Sequence, residues 1–167
     1  MRFTLIDRIV DVQPGQSIRA MKALSLAEEY LQDHFPRFPV MPGVLMLEAM
    51  SQTARWLIYQ TDDFAHPCIL LREARNVKYA DFVEPGQVLW IEANIIKEEG
   101  LFTTLKTQGS VNGKVAVSAR LVLERKRLAD EDPRLRSSDL YADRRMREIF
   151  QQLYRPQVVA EVEANVV

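Results

Sequence analysis

His34 and Glu48 stand fourteen residues apart in the run Asp33–Gln52, Asp-His-Phe-Pro-Arg-Phe-Pro-Val-Met-Pro-Gly-Val-Leu-Met-Leu-Glu-Ala-Met-Ser-Gln, with Gly43 between them. A histidine exchanges a proton near neutral pH. A carboxylate set in an apolar segment needs a partner or a task. A glycine opening a helix lets a substrate oxygen approach free amides at the positive end of the helix dipole. Base, acid and oxyanion donor in one stretch suit removal of a proton beside a carbonyl, with departure or addition of a β-oxygen.

The elements that must hold these groups are legible around them. Prolines at 36, 39 and 42 fix their own φ and push the preceding residues toward extended backbone, so the chain after His34 is expected to be a stiff crossing. From Gly43, the residues Val44, Leu45, Leu47, Ala49, Met50, Ala54, Trp56, Leu57 and Ile58 are apolar nearly all round, which predicts a buried helix. Glu48 and Gln52 are its polar exceptions, four apart and on one face. Gln52 serves equally well as a support for Glu48 or as a cap on a backbone group.

Upstream, Phe3 to Val12 is a short apolar opening, Gln13-Pro-Gly-Gln16 a turn, and Ser17–Leu24 the expected first strand, with Ile18, Ala20 and Lys22 on one face. Ser25-Leu-Ala-Glu28 has capping-box spacing and predicts a short helix to about Leu31. Downstream, Thr61 to Pro67 is a polar break. Ile69–Val77 and the segment from Lys78 to Val83 read as two strands separated by a bend, and Glu84-Pro-Gly-Gln87 reads as a turn. Strands follow over Val88–Lys97, Phe102–Ser110 and Val115–Leu123, the last two joined by Asn112-Gly113, a pair suited to a tight hairpin turn. Val115, Val117, Ala119, Leu121 and Leu123 are expected to share a face. The stretch from Arg125 is charged and reads as a linker. Leu140, Met146, Ile149, Phe150, Leu153 and Tyr154 then form a helical stripe that Pro156 would end.

Bulk properties narrow the function classes. The 167 residues fit one domain, and 22 Lys and Arg against 23 Asp and Glu leave a net charge of -1, so neither nucleic acid nor a membrane surface is an expected partner. Cys68 is the only cysteine, which excludes an intrachain disulfide and suits a reducing cytosol. The N-terminus carries charges where a signal peptide would be apolar, and no run reaches a membrane span, so a soluble, cytoplasmic protein is expected. His34 and His66 are the only histidines and lack ligand spacing, so no metal or cofactor is expected. Ser51 and Cys68 lack the surroundings of an activated nucleophile.

The run His34-Phe-Pro…Pro39-Val-Met-Pro-Gly-Val-Leu…Leu47-Glu-Ala-Met…Gln52 resembles the signature of the FabZ-type 3-hydroxyacyl-(acyl-carrier-protein) dehydratases. Leu5-Ile-Asp-Arg-Ile-Val-Asp11, Lys78-Tyr79 with Pro85-Gly86, and Val111-Asn-Gly-Lys-Val115 extend the resemblance over roughly three quarters of the chain. It implies an α+β hot-dog fold, an antiparallel sheet wrapped around a long helix, in a domain over 1–125. A charged linker and a helical extension over 126–167 would be packed on that domain or extend from it. It implies dehydration of a 3-hydroxyacyl thioester carried on acyl carrier protein, in fatty-acid biosynthesis. Under it His34 is the base, Glu48 the catalytic carboxylate, the amides of Gly43 and Val44 the thioester-binding donors and Gln52 a support. Lys78, Tyr79 and Phe82 are candidate acyl-tunnel or carrier contacts. In that family the histidine and carboxylate meet across a dimer interface, so a homodimer is implied, with a trimer of dimers as a further assembly. The chain departs from the family pattern at Arg37 and Phe38 and again at Ala80, Asp81 and Phe82. The alternatives are a hot-dog acyl thioesterase and a non-catalytic acyl-binding or assembly subunit.

Overall fold

The computed structural model describes residues 3–156. Met1, Arg2 and residues 157–167, and with them the end of the expected extension, lie outside the described part. Six strands, β1 (Arg8–Gln13), β2 (Ser17–Ala23), β3 (Cys68–Tyr79), β4 (Val88–Glu99), β5 (Phe102–Val111) and β6 (Lys114–Lys126), form one antiparallel sheet in the order β1-β2-β4-β5-β6-β3. Helix α1 (Gly43–Thr61) lies against β2, β4, β5 and β6, and α2 (Arg136–Leu153) follows the linker.

Burial of α1 drives this arrangement. Met50, Leu57 and Ile58 are fully buried, as are Leu89, Ile91, Leu105, Leu121 and Leu123 of the sheet. Each such side chain contributes on the order of 2 kcal/mol of transfer free energy. The sheet twists and changes face at bulges, and several expectations fail there. The first strand is β1, not the expected Ser17–Leu24, because the opening segment pairs with β2 through a bulge between Ile9 and Asp11. β3 covers Ile69–Val77 but takes in only Lys78 and Tyr79 of the second expected strand, residues 80–83 lying in no strand, and it carries two register shifts, between Leu71 and Glu73 and between Arg75 and Lys78. At the start of β6, Gly109 pairs with Val117 and Ser110 with Val115, so Ala116 is the extra residue. That residue turns Val115 outward, 44% exposed, while Val117, Ala119, Leu121 and Leu123 keep the expected face. Asn112 and Gly113 have the positive φ of the expected turn, 50° and 75°.

The capping box does not form. Glu28 reaches Lys22 Nζ at 2.5 Å instead, and only a 3₁₀ turn, Glu29–Gln32, follows. Lys22 shares the buried face of Ile18 and Ala20, so its ammonium needs that carboxylate together with the Ala23 carbonyl at 2.8 Å.

The extension packs on the end of α1. The Phe150 ring lies 6.1 Å from Trp56, 6.2 Å from Phe64 and 5.3 Å from Tyr154. Arg147 sits over the Phe64 ring and donates to Asp63 Oδ1 at 2.7 Å. Asp139 accepts from the Leu128 and Ala129 amides, tying α2 back to the linker. The Arg155 amide donates to the Ile9 carbonyl at 3.1 Å, so the chain returns beside β1. Among the described residues no helix is long and apolar enough to cross a membrane.

Candidate functional site

The loop carrying His34 is held by its own backbone. Phe35 and Phe38 exchange amide-to-carbonyl bonds of 3.1 and 3.0 Å, the Val40 amide donates to the His34 carbonyl, and the Met41 amide donates to the Val83 carbonyl at 2.9 Å. His34 Nδ1 lies 3.0 Å from the Val40 carbonyl. A carbonyl only accepts, so Nδ1 carries a proton and Nε2 is the ring nitrogen left to exchange one. The Phe35 ring stacks on the imidazole, centroids 4.2 Å apart. The loop therefore fixes the orientation of the imidazole and turns Nε2 away from the Val40 carbonyl.

Arg37 is exposed at the tip of the Phe35–Phe38 turn. Phe38 packs edge-on against Phe82, centroids 5.5 Å apart, so two departures from the family pattern touch one another. Lys78, Tyr79 and Phe82 are all exposed, the latter two by 50% and 57%.

α1 begins directly after this loop. The Pro42 carbonyl accepts from the Leu45 and Met46 amides, so the amides of Gly43 and Val44 precede the first helical bond. The Tyr79 ring lies over Gly43, and a Cβ there would come within 3.0 Å of it. The Val44 side chain, expected to be buried, is 67% exposed because it points away from the sheet.

One turn further along, Glu48 does not stand in an apolar sleeve. Its side chain is 28% exposed, and Oε1 accepts from Gln52 Nε2 at 3.0 Å and from Arg55 Nη1 at 3.2 Å. Gln52 also accepts from the Leu5 amide at 2.9 Å and donates to the Phe3 carbonyl, so it touches Glu48 and the backbone of the opening segment at once. Arg55 was not singled out from the sequence. It stands seven residues after Glu48, two helical turns along the same face, and that spacing was the available signal.

Glu48, Gln52 and Arg55 line a cleft of about 420 Å³ whose other walls include Trp56, Tyr59, Met146 and Ile149. Neither His34 nor Gly43 lines it. One chain thus brings Glu48, Gln52 and Arg55 together, and Gly43 and Tyr79 together, and holds His34 apart from the carboxylate's cleft. Another cleft, of about 560 Å³ between residues 63–67 and the extension, holds none of the expected site residues, and several of its charged groups are paired with one another. Burial pushes the Tyr59 hydroxyl up to about 12, and it donates to the Pro67 carbonyl, so it is no proton donor for chemistry near neutral pH. Among the described residues no cluster could hold a metal ion.

A long helix on a single antiparallel sheet of this strand order, entered through a histidine-bearing loop, defines a hot-dog domain. The dehydratase heterocomplex ApeI:P of Xenorhabdus doucetiae shares the fold, with a TM-score of 0.63 at 18% identity over 80% of this chain and 90% of that one. A FabA-like domain model matches residues 1–120. The chain is 38% identical over 130 residues to the 3-hydroxyacyl-[acyl-carrier-protein] dehydratase FabZ of Shewanella oneidensis, covering 75% of this chain and 84% of that one. It is 38% identical over 116 residues to the FabZ of Levilactobacillus brevis, covering 70% and 78%. The chain belongs to the FabZ-type 3-hydroxyacyl-[acyl-carrier-protein] dehydratase family.

Proposed function

We propose that the chain dehydrates 3-hydroxyacyl thioesters of acyl carrier protein to trans-2-enoyl thioesters in fatty-acid biosynthesis, working as a cytoplasmic homodimer. The observation that carries this reading is His34, whose Nδ1 is committed to the Val40 carbonyl and whose Nε2 is left as a base. His34 Nε2 takes the C2 proton, and the electron pair of that bond forms the C2=C3 double bond as the C3–O bond breaks. The amides of Gly43 and Val44 hold the thioester oxygen, on which charge builds as the proton leaves. Glu48 accepts from Gln52 and Arg55, so its place in the reaction is to accept from the 3-hydroxyl and aim it. The proton held by the imidazolium then leaves with the hydroxyl as water, and the base is restored.

The separation of His34 from the cleft of its own chain's Glu48 supports a site shared between two chains, in which His34 of one subunit works beside Glu48 of the other. Residues 1–125 form the dehydratase domain and the rest an appended extension. The family's relatives bear dehydratase names, which gives hydrolysis and a non-catalytic role no support. The test follows enoyl product and free thiol separately from a 3-hydroxyacyl carrier-protein thioester. Enoyl formation in the wild type, lost in His34→Ala and in Glu48→Gln, is expected. Free thiol without enoyl, or binding without product, would overturn the reading.

A further inference from the structure

The FabA-like match ends at residue 120, and α2 begins at Arg136, yet Met146 and Ile149 of α2 line the same cleft as Glu48. On α1, Glu48, Gln52, Trp56 and Tyr59 succeed one another at three- and four-residue steps along one face, a distance of about 16 Å at the helical rise. The near end of that face is polar. Its far end is carbon: Trp56 and Tyr59 are each 7% exposed, and the Tyr59 hydroxyl is already spent on the Pro67 carbonyl. Met146 and Ile149 face this far end, and Phe150 against Trp56 and Phe64, with Arg147 on Asp63, fixes α2 there.

We propose that α2 is a wall of the substrate cleft and that Met146 and Ile149 set the length of acyl chain the protein accepts. The inference rests on the dehydratase reading, which puts C3 of the substrate at Glu48. The chain beyond C3 then runs along α1 from Gln52 toward Trp56 and Tyr59, under α2. An unbranched apolar tail fits because the cleft starts at the carboxylate that handles the hydroxyl and turns apolar away from it. Side chains outside the family's own domain thus decide how much tail is buried.

Calorimetric binding of butyryl-, octanoyl- and dodecanoyl-pantetheine to the full chain tests this, since these thioesters carry no 3-hydroxyl to eliminate. In the wild type affinity should rise by up to about fourfold per methylene buried. Ile149→Trp fills the far end and should cut dodecanoyl affinity by about tenfold, the loss of one to two buried methylenes, with butyryl affinity unchanged. Met146→Ala should extend the rise to longer chains, and it removes bulk rather than adding it, so it remains informative if the tryptophan variant does not fold. Equal changes at every length, or none in the folded variants, would overturn the proposal. A protein that forms enoyl product while its length profile ignores both variants refutes the wall and leaves the dehydratase reading intact. A length profile that responds to the variants in a protein that forms no enoyl product refutes the reading instead.

Discussion

Arg55 holds Glu48 from two helical turns away, with Nη1 3.2 Å from Oε1 and Nη2 3.4 Å from Oε2, and also donates to Ser51 Oγ at 3.1 Å. The guanidinium spans both carboxylate oxygens, and Gln52 adds a third bond to Oε1. A carboxylate gripped in this way is fixed in direction as well as charge. On the proposed reading Glu48 accepts from the substrate hydroxyl, and Arg55 would then act through it as a positioning residue.

Arg55→Ala should lower kcat by about tenfold to a hundredfold with a smaller change in KM, because orientation of the carboxylate matters most when the C3–O bond breaks. Arg55→Lys should restore only part of the loss, since an ammonium cannot bridge both oxygens in a fixed plane. Steady-state kinetics of the two variants check this. A change confined to KM in both would assign Arg55 to binding.

Gly43 is held under the Tyr79 ring, whose carbons would stand 3.0 to 3.3 Å from a Cβ at that position. Gly43→Ala should destabilise the protein by about 1 kcal/mol, because the ring must shift to admit the methyl group. Tyr79 is half exposed, so Tyr79→Ala in the same chain should remove the clash and recover most of that loss. Chemical denaturation of the single and double variants measures both effects.

The site is legible in the sequence to the extent that it depends on local chain geometry. His34, the proline-rich crossing, Gly43 at the helix start and the face shared by Glu48 and Gln52 follow from spacing and backbone restriction alone. The surroundings of Glu48 do not, since the apolar pattern of α1 says which face is buried but not that Arg55 folds back along the other. The failed capping box has the same origin. Ser25 and Glu28 are spaced to cap a helix, but Lys22 is buried by its place on β2 and takes the carboxylate first. Bulges hid the first strand, carried β3 past the expected bend as far as Tyr79 and turned Val115 outward, because one extra residue reverses the side chains beyond it without altering the alternation itself. The cleft wall from α2 was equally hidden: the stripe of Met146, Ile149 and Phe150 marks a helix, and only the fold says what it covers.

The buried Tyr59 predicts an alkaline dependence of stability. Burial raises its folded pKa to about 12, above the value of 10.0 for a solvated tyrosine. Below pH 10 both folded and unfolded chains keep the proton, and the contribution is fully present. Between about pH 10 and 12 the unfolded chain releases it while the folded chain does not, so stability falls by about 1 kcal/mol per pH unit. Tyr30 shifts in the same direction, again chiefly through burial, and adds to the slope. Denaturant midpoints measured across that range should decline less steeply in Tyr59→Phe than in the wild type. Identical slopes would remove Tyr59 as their source.

The central claim is that one chain's His34 works with the other chain's Glu48. Complementation tests it most directly: His34→Ala and Glu48→Gln chains, each inactive alone, are unfolded together, refolded as a mixture and assayed for enoyl formation. Half of the dimers formed at random are mixed, and each mixed dimer has one site with both native residues, so activity should return to about a quarter of the wild-type value. A mixture of confirmed mixed dimers that stays as inactive as its parents would mean that both residues act within one chain, and would contradict the account.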